Sequence, residues 1–327
     1  MEGPARPMPD FDDETWLLLT NPISGGGRGV RDRAKIEAAL AAHGQRHVAV
    51  QSEYPGHAIA LVSEAIDRGC RRILVAGGDG SVSEAVNGIF AQRSVAPDAV
   101  LLALLPLGTG NDWARGPGPT PDYDGALRSI VDGVANEKDR QRRHDVGVIE
   151  FPATGKIRYF INVAGGGFDA AVIERMPSRR FGRLAYLLGL LRALAAYRPL
   201  SLNLSIDGRN EAAQAFVFFA CIGRYCGGGM LVAPRARPDD GLLDLTLIRH
   251  MSRWRVLISL PRLFDGSLER HPKVSVWRAG STVIEAPAGT AIEADGELVG
   301  HAPATLTVRR RALRIVAPPA WAAQELQ

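Results

Sequence analysis

The sequence predicts an α/β protein of two domains: a parallel sheet wrapped by helices over residues 1–140, and a β-rich, sandwich-like domain over 141–311, with 312–327 returning to the first. Three observations predict it. Short apolar runs alternate with helical stretches through the first third, as in a parallel sheet with right-handed crossovers. Polar, glycine-rich loops follow three of those runs. Beyond residue 140 the runs alternate with period two, as antiparallel strands with one wet face do. At 327 residues the chain is also longer than one hydrophobic core usually supports.

The first strand is Trp16-Leu17-Leu18-Leu19-Thr20, and it runs straight into Asn21-Pro22-Ile23-Ser24-Gly25-Gly26-Gly27-Arg28-Gly29. Such a loop between strand and helix is the usual seat of phosphate oxygens, because backbone amides and the helix N-terminus point at it. A helix from about Val30 to Ala42 follows, then a strand near His47 to Val50 and a helix from about Gly56 to Arg68. The next strand, Ile73 to Ala76, ends in Gly77-Gly78-Asp79-Gly80-Ser81 and a helix from about Gly80 to Phe90. These glycines let the backbone approach a ligand, whereas Asp79 would repel bare phosphate; the combination suits a phosphate chain that brings its own Mg²⁺. Read without a ligand, the same turn is a tight βα connection whose aspartate caps the helix. The strand Val100 to Leu105 closes with Pro106-Leu107-Gly108-Thr109-Gly110-Asn111-Asp112-Trp113-Ala114-Arg115. All three loops thus lie at strand carboxyl ends, where a parallel sheet binds its ligand. Neither the P-loop pattern nor the dinucleotide-binding glycine spacing occurs.

A helix near Tyr123 to Gly133 leads into the second region, whose strands are expected at Asp145 to Phe151, Ile157 to Val163, Leu200 to Ile206, Ala213 to Ile222, Leu242 to Ile248, Val274 to Trp277 and Thr282 to Ala286, with shorter runs to Val308. The apolar piece Ala312 to Ala317 is a candidate to complete the first sheet. Two helical patterns interrupt these strands. Phe181 to Ala196 is apolar nearly all round, and Trp254 to Phe264 sets Trp254, Leu257, Ile258, Leu260 and Phe264 beside Arg253, Arg255 and Arg262. Interfacial helices share that composition, but core packing is the preferred reading of both.

Net charge is +4 with a pI near 9.1, too mild to argue for nucleic acid yet compatible with anionic small molecules or an anionic membrane surface. The basic clusters at 140–143, 179–183 and 309–311 read singly as solvated edges. Cys70, Cys221 and Cys226 have no metal-ligand spacing, and their odd number argues against a secreted disulfide framework and for a reducing cytosol. The apolar Trp16 to Leu19 is far too short for a signal peptide or a membrane span, so any membrane contact is expected to be peripheral.

Asn21-Pro22-x-Ser24-Gly25, Gly77-Gly78-Asp79-Gly80-Ser81 with Glu84 to Gly88, and Leu105 to Asp112 together resemble the catalytic domain shared by diacylglycerol, sphingosine and ceramide kinases, particularly its soluble bacterial branch. The likeness continues through Gly165-Gly166-Gly167-Phe168-Asp169, Pro238 to Asp244 and Asp295-Gly296-Glu297, in the family's order over nearly the whole chain. It implies a Rossmann-like three-layer nucleotide-binding domain and a β-sandwich of the NAD kinase/diacylglycerol kinase kind, with ATP and Mg²⁺ used to phosphorylate a lipid hydroxyl. By this resemblance Asn21, Ser24, Gly25 and Gly26 touch the nucleotide phosphates; Gly77, Gly78, Asp79, Gly80 and Ser81 bind nucleotide and metal; and Gly108, Thr109, Asn111 and Asp112 complete the site. Since no P-loop lysine exists to neutralise phosphate charge, Arg28 is the candidate cation to assist. Asp295 matches the family's general base and Glu297 its acidic neighbour, while Asp240, with the carbonyls of Arg237 and Leu242, matches a second, structural Mg²⁺ site. Ser81 stands where threonine is common, and His57 where many members carry an aspartate.

The chemistry is consistent with these roles. A primary alcohol is a poor nucleophile at neutral pH, so a positioned carboxylate that accepts its proton is useful. Without the resemblance Asp295 reads as a β-turn aspartate, and Asp169 as a helix cap. The expectation is a lipid kinase acting at the membrane surface on diacylglycerol first, or on a ceramide-like or sphingoid lipid, with room for a homodimer and no nucleic-acid partner. An NAD kinase shares the GGDG turn and the β-rich second domain, but the Leu105 to Asp112 loop and the apolar Phe181 helix speak against it. A nucleotide-binding membrane sensor without turnover is the remaining alternative, opposed by the retained Asp79, Asp112 and Asp295.

Overall fold

The computed structural model describes residues 8–108, 110–115, 125, 128–130, 132, 141–175, 193–194 and 196–317. Thr109, the arginines at 179, 180 and 183, most of the expected Tyr123 to Gly133 helix and nearly all of the Phe181 to Ala196 pattern lie outside the described residues. Contacts divide the chain into two compact units, residues 1–144 with 311–327, and residues 145–310.

In the first unit four apolar runs form parallel strands: β1 (Trp16–Thr20), β2 (His47–Gln51), β3 (Arg72–Gly77) and β4 (Leu101–Pro106). β1 lies between β2 and β3, and β3 pairs in turn with β4. Arg314 and Ile315, at the end of the chain's last strand, add a further parallel partner to β4. Alternation along these strands sends side chains to two faces. Trp16, Leu18, Leu74, Ala76, Leu101 and Ala103 form one buried cluster with Ile36 and Leu40 of α2 (Arg33–Ala42), which follows the short α1 (Arg28–Arg31). The equally buried Leu17, Leu19, Ile73, Val75 and Leu102 point the other way. That face belongs to α3 (His57–Asp67) and α4 (Asp79–Ala91), which pack on each other and on β1 and β3. Helices on both faces explain why the strands read as unbroken apolar runs.

The second unit is largely antiparallel. Its strands are β5 (Gln141–Phe151), β6 (Lys156–Phe160), β7 (Val163–Gly167), β8 (Leu200–Ile206), β9 (Arg209–Cys221), the short β10 (Tyr225–Cys226) and β11 (Met230–Leu231), β12 (Leu243–Arg249), β13 (Val274–Ala279), β14 (Ser281–Glu285), β15 (Ala291–Ala294), β16 (Glu297–His301) and β17 (Ala304–Val316), of which the first four residues of β5 and the last six of β17 belong to the first unit. β9 is the hub, pairing with β8 at its start and lying between β7 and β12 over its second half. Among its described elements are the helices α5 (Phe168–Arg175), against β7 and β15, and α6 (Arg253–Ser259).

Three sequence expectations change. The strand read as Ile157 to Val163 is two, because the chain turns at Ile161 and Asn162. The first strand of the second region starts at Gln141, inside the basic run expected to be a solvated edge. Most consequential, Trp254 to Phe264 is core on one side only: Val256 and Leu263 pack inward, while Trp254 is 76% and Ile258 77% exposed.

Candidate active site

The three glycine-rich loops of the first unit converge at the carboxyl ends of β1, β3 and β4. The Asn21 side-chain amide donates to Ser81 Oγ at 3.2 Å, and Ser24 Oγ lies 3.4 Å from the same oxygen. Leu107 and Gly108 both donate backbone N–H bonds to Gly77 O. Glycine is required where these backbones meet. A Cβ on Gly25 would stand 2.0 Å from Leu107 O, and one on Gly108 would stand 2.7 Å from Gly78 Cα. Gly25, Gly26 and Gly27 follow one another with φ of 58°, 68° and 92°, a left-handed run open to few other residues. Arg28 is exposed directly after them, with no ion pair among the described residues.

Asp79 fastens the third loop to the second. Its Oδ2 accepts the Asp112 N–H and its Oδ1 the Trp113 N–H, each at 3.1 Å. It does not cap its own helix: Gly78 is the N-cap and no side-chain cap bond is made. Burial pushes the Asp79 carboxyl above its usual range, and the neighbouring Asp112 charge pushes the same way against the two amide bonds. Both carboxylates face the space over Gly110, where a Cβ would meet Asp79 Oδ2 at 3.1 Å and Asp112 Oδ2 at 3.5 Å. Asp112 is also paired with Arg115 Nε at 3.4 Å. Asn111, at φ 50°, donates to Gly108 O, while its buried Oδ1 finds no donor among the described residues.

Two crowded, desolvated carboxylates and an unsatisfied carbonyl oxygen fit a small oxygen-loving cation arriving with a phosphate chain. They do not form a free-standing metal site, since no cluster of three or more His, Cys, Asp or Glu suited to a metal occurs among the described residues. The expected second metal set fits less well. Asp240 Oδ1 accepts the Leu242 N–H, and its other oxygen is held by Arg278, which already supplies the positive charge. Glu84, next to the second loop in sequence, has a mechanical role: its two oxygens accept the N–H groups of Gly56 and Ala58 and so close the N-terminus of α3. His57 accepts the Glu53 N–H on Nδ1 and stacks on Tyr54.

In the second unit Asp295 occupies the β15–β16 turn at φ 50°. Its carboxylate accepts the N–H groups of Ile161, Asn162 and Val163 at 3.1, 3.0 and 3.3 Å, which is why the chain turns between β6 and β7. Glu297 is paired with Arg158 at 3.0 Å. Next to this turn lies a pair that the sequence did not disclose. Glu293 is buried, takes the Gly296 N–H on Oε2, and meets the carboxyl of Asp169 from α5, whose two oxygens are buried and find no donor among the described residues. Burial raises both carboxyls above their ordinary range, and the Asp169 charge pushes Glu293 up further. The available signal was a glutamate inside the small apolar strand Ala291–Ala294.

Residues 15–142 match the family model of the diacylglycerol kinase catalytic domain, and residues 162–317 match that of the YegS C-terminal NAD kinase beta sandwich-like domain. The chain is 34% identical over 305 residues to a diacylglycerol kinase of Mycobacterium tuberculosis, covering 92% of this chain and 94% of that one. The chain belongs to the diacylglycerol kinase family. It is a lipid kinase, and it uses ATP. A diacylglycerol kinase of Staphylococcus aureus is 27% identical over 304 residues, covering 92% of this chain and 91% of that relative. A crystal structure of a diacylglycerol kinase from Bacillus anthracis shares the fold, with a TM-score of 0.69 at 23% identity over 94% of this chain and 98% of that one.

Proposed function

We propose that this lipid kinase phosphorylates the free hydroxyl of diacylglycerol, and that the three joined loops of the first unit hold its ATP. The observation that carries the reading is the tie made by Asp79, which locks the second and third loops together around a gap lined by two carboxylates. The 34% identity to a diacylglycerol kinase over nearly the full length supports the choice of lipid.

Bound ATP supplies the phosphoryl group, and its Mg²⁺ neutralises charge on the phosphates. The chain's own residues do the rest. The amides of Gly25 and Gly26 and of the α4 N-terminus bind phosphate oxygens in place of a P-loop lysine, with Arg28 as the nearby cation. Asp79 and Asp112 would hold the metal, and Asn111 Oδ1 would supply a further oxygen. Asp295 accepts the proton of the attacking hydroxyl, its orientation set by three backbone donors, and Glu297 is held beside it by Arg158. The enzyme works in the cytoplasm at the inner membrane face, in keeping with its three free cysteines.

Labelled ATP incubated with mixed micelles of diacylglycerol, ceramide, a sphingoid base or NAD, with products identified by mass, tests the assignment. Phosphatidic acid is the expected product. Label on ceramide, the sphingoid base or NAD in its place would overturn the choice of acceptor.

A further inference from the structure

Of the nine large apolar side chains exposed among the described residues, four lie in one eleven-residue stretch: Trp254 at 76%, Ile258 at 77%, Leu260 at 38% and Phe264 at 62%. They are not a failed core. α6 and the 3₁₀ turn after it (Leu260–Leu263) already have a buried side, where Val256 and Leu263 pack on a cluster containing Val217, Phe219, Val232 and Leu268. The exposed residues are therefore a second apolar face, turned outward by a segment whose inward face is satisfied. An isolated exposed Leu means little, but a clustered set including Trp and Phe marks a contact surface.

Charge on the same segment indicates what covers it. Residues 252–273 carry five cationic side chains, Arg253, Arg255, Arg262, Arg270 and Lys273, against two acids, Asp265 and Glu269. Glu269 is engaged with Arg235, and Arg253 and Arg255 have no ion pair among the described residues. The positive charges lie close enough together for Arg262, Arg255 and Lys273 to act jointly on His271. A second copy of this face would set these arginines against one another, which opposes a symmetric dimer built on it. Apolar tips interleaved with unpaired arginines complement a surface whose interior is hydrocarbon and whose head groups are anionic. The helix is too short to cross a bilayer and suited to lying in its surface.

We propose that Trp254, Ile258, Leu260 and Phe264, flanked by Arg253, Arg255 and Arg262, dock the protein on an anionic lipid bilayer. The proposal rests on the lipid-kinase reading for its purpose, since a water-insoluble acceptor must be met where it resides, but not for its physics.

The test uses the full chain and vesicles of phosphatidylcholine, alone or with about a third phosphatidylglycerol. Wild type is expected to sediment with the anionic vesicles and to release in high salt. Replacing the apolar tips in W254S/I258S/F264S should weaken binding at least about tenfold without lowering the unfolding temperature, because these side chains are solvent-facing. R253Q/R255Q should lose about fivefold per arginine on anionic vesicles and nothing on neutral ones. Both variants should phosphorylate a water-dispersed short-chain acceptor as wild type does, and lose turnover on vesicle-embedded acceptor. Equal vesicle binding by wild type and both variants would overturn the proposal, as would a change of oligomeric state in W254S/I258S/F264S with vesicle binding intact. Vesicle binding that follows these substitutions in a protein that phosphorylates no lipid would uphold the docking face and sink the kinase acceptor instead.

Discussion

Asp79 begins a helix after a parallel strand and Asp295 sits in the hairpin between β15 and β16, yet each fastens distant backbone, in contrasting electrostatic settings. Asp79 opens a helix, takes two amides of the 110–113 loop, and shares its surroundings with a second buried carboxylate. Asp295 sits at φ 50°, takes three amides of the β6–β7 turn, and has the carboxyl pair of Glu293 and Asp169 behind it. The first anion is crowded and desolvated, so a cation relieves it. The second is oriented by donors that hold its oxygens in place, which suits a group that must meet one hydroxyl in one geometry. The proposed roles, metal holding for one aspartate and proton acceptance for the other, thus rest on what surrounds each carboxylate.

Removing the first aspartate should have the largest effect. Asp79→Ala leaves the N–H groups of Asp112 and Trp113 without acceptors, a loss of about 2–4 kcal/mol in denaturant unfolding. Turnover should fall by at least about a thousandfold with ATP affinity, because loop and metal position go together. A variant that kept ATP affinity while losing stability would break the comparison, leaving Asp79 a structural tie alone.

A smaller effect sharpens the other half. In the unfolded chain Asp169 and Glu293 ionise near pH 4, whereas the folded pair holds a proton to higher pH. Between those limits the native state binds more protons than the unfolded one, so stability should fall as pH rises through that window and level off once the pair has ionised. Asp169→Asn removes one of the two titrating groups and should make that slope shallower, leaving the variant more stable than wild type at pH 8. Parallel melting curves of the two proteins from pH 4 to 8 decide it; identical slopes would mean the pair holds no extra proton.

The first unit was largely legible because its signals are local. A strand buried on both faces is a run of apolar residues, and the loops after β1, β3 and β4 carry their glycines in sequence. Their convergence followed from parallel topology alone. What the loops do to one another was not legible: that Asp79 ties residues 112 and 113 rather than its own helix depends on chain ends brought together by the sheet. The second unit hid more. The break after β6 is imposed by Asp295, more than a hundred residues away, and the Asp169–Glu293 pair joins a helix to a strand from distant parts of the chain. Trp254 to Phe264 was misread for another reason. Apolar spacing identifies a face, not what covers it, and this segment has two.

The central claim is that ATP is held by the first unit's loops and that the hydroxyl proton goes to Asp295. Its most direct test is Asp295→Asn, with ATP binding measured by calorimetry and turnover on diacylglycerol measured in the same preparation. The account predicts ATP affinity within about threefold of wild type and turnover lowered about 10²–10⁴-fold. Wild-type turnover in a folded Asp295→Asn protein would contradict it.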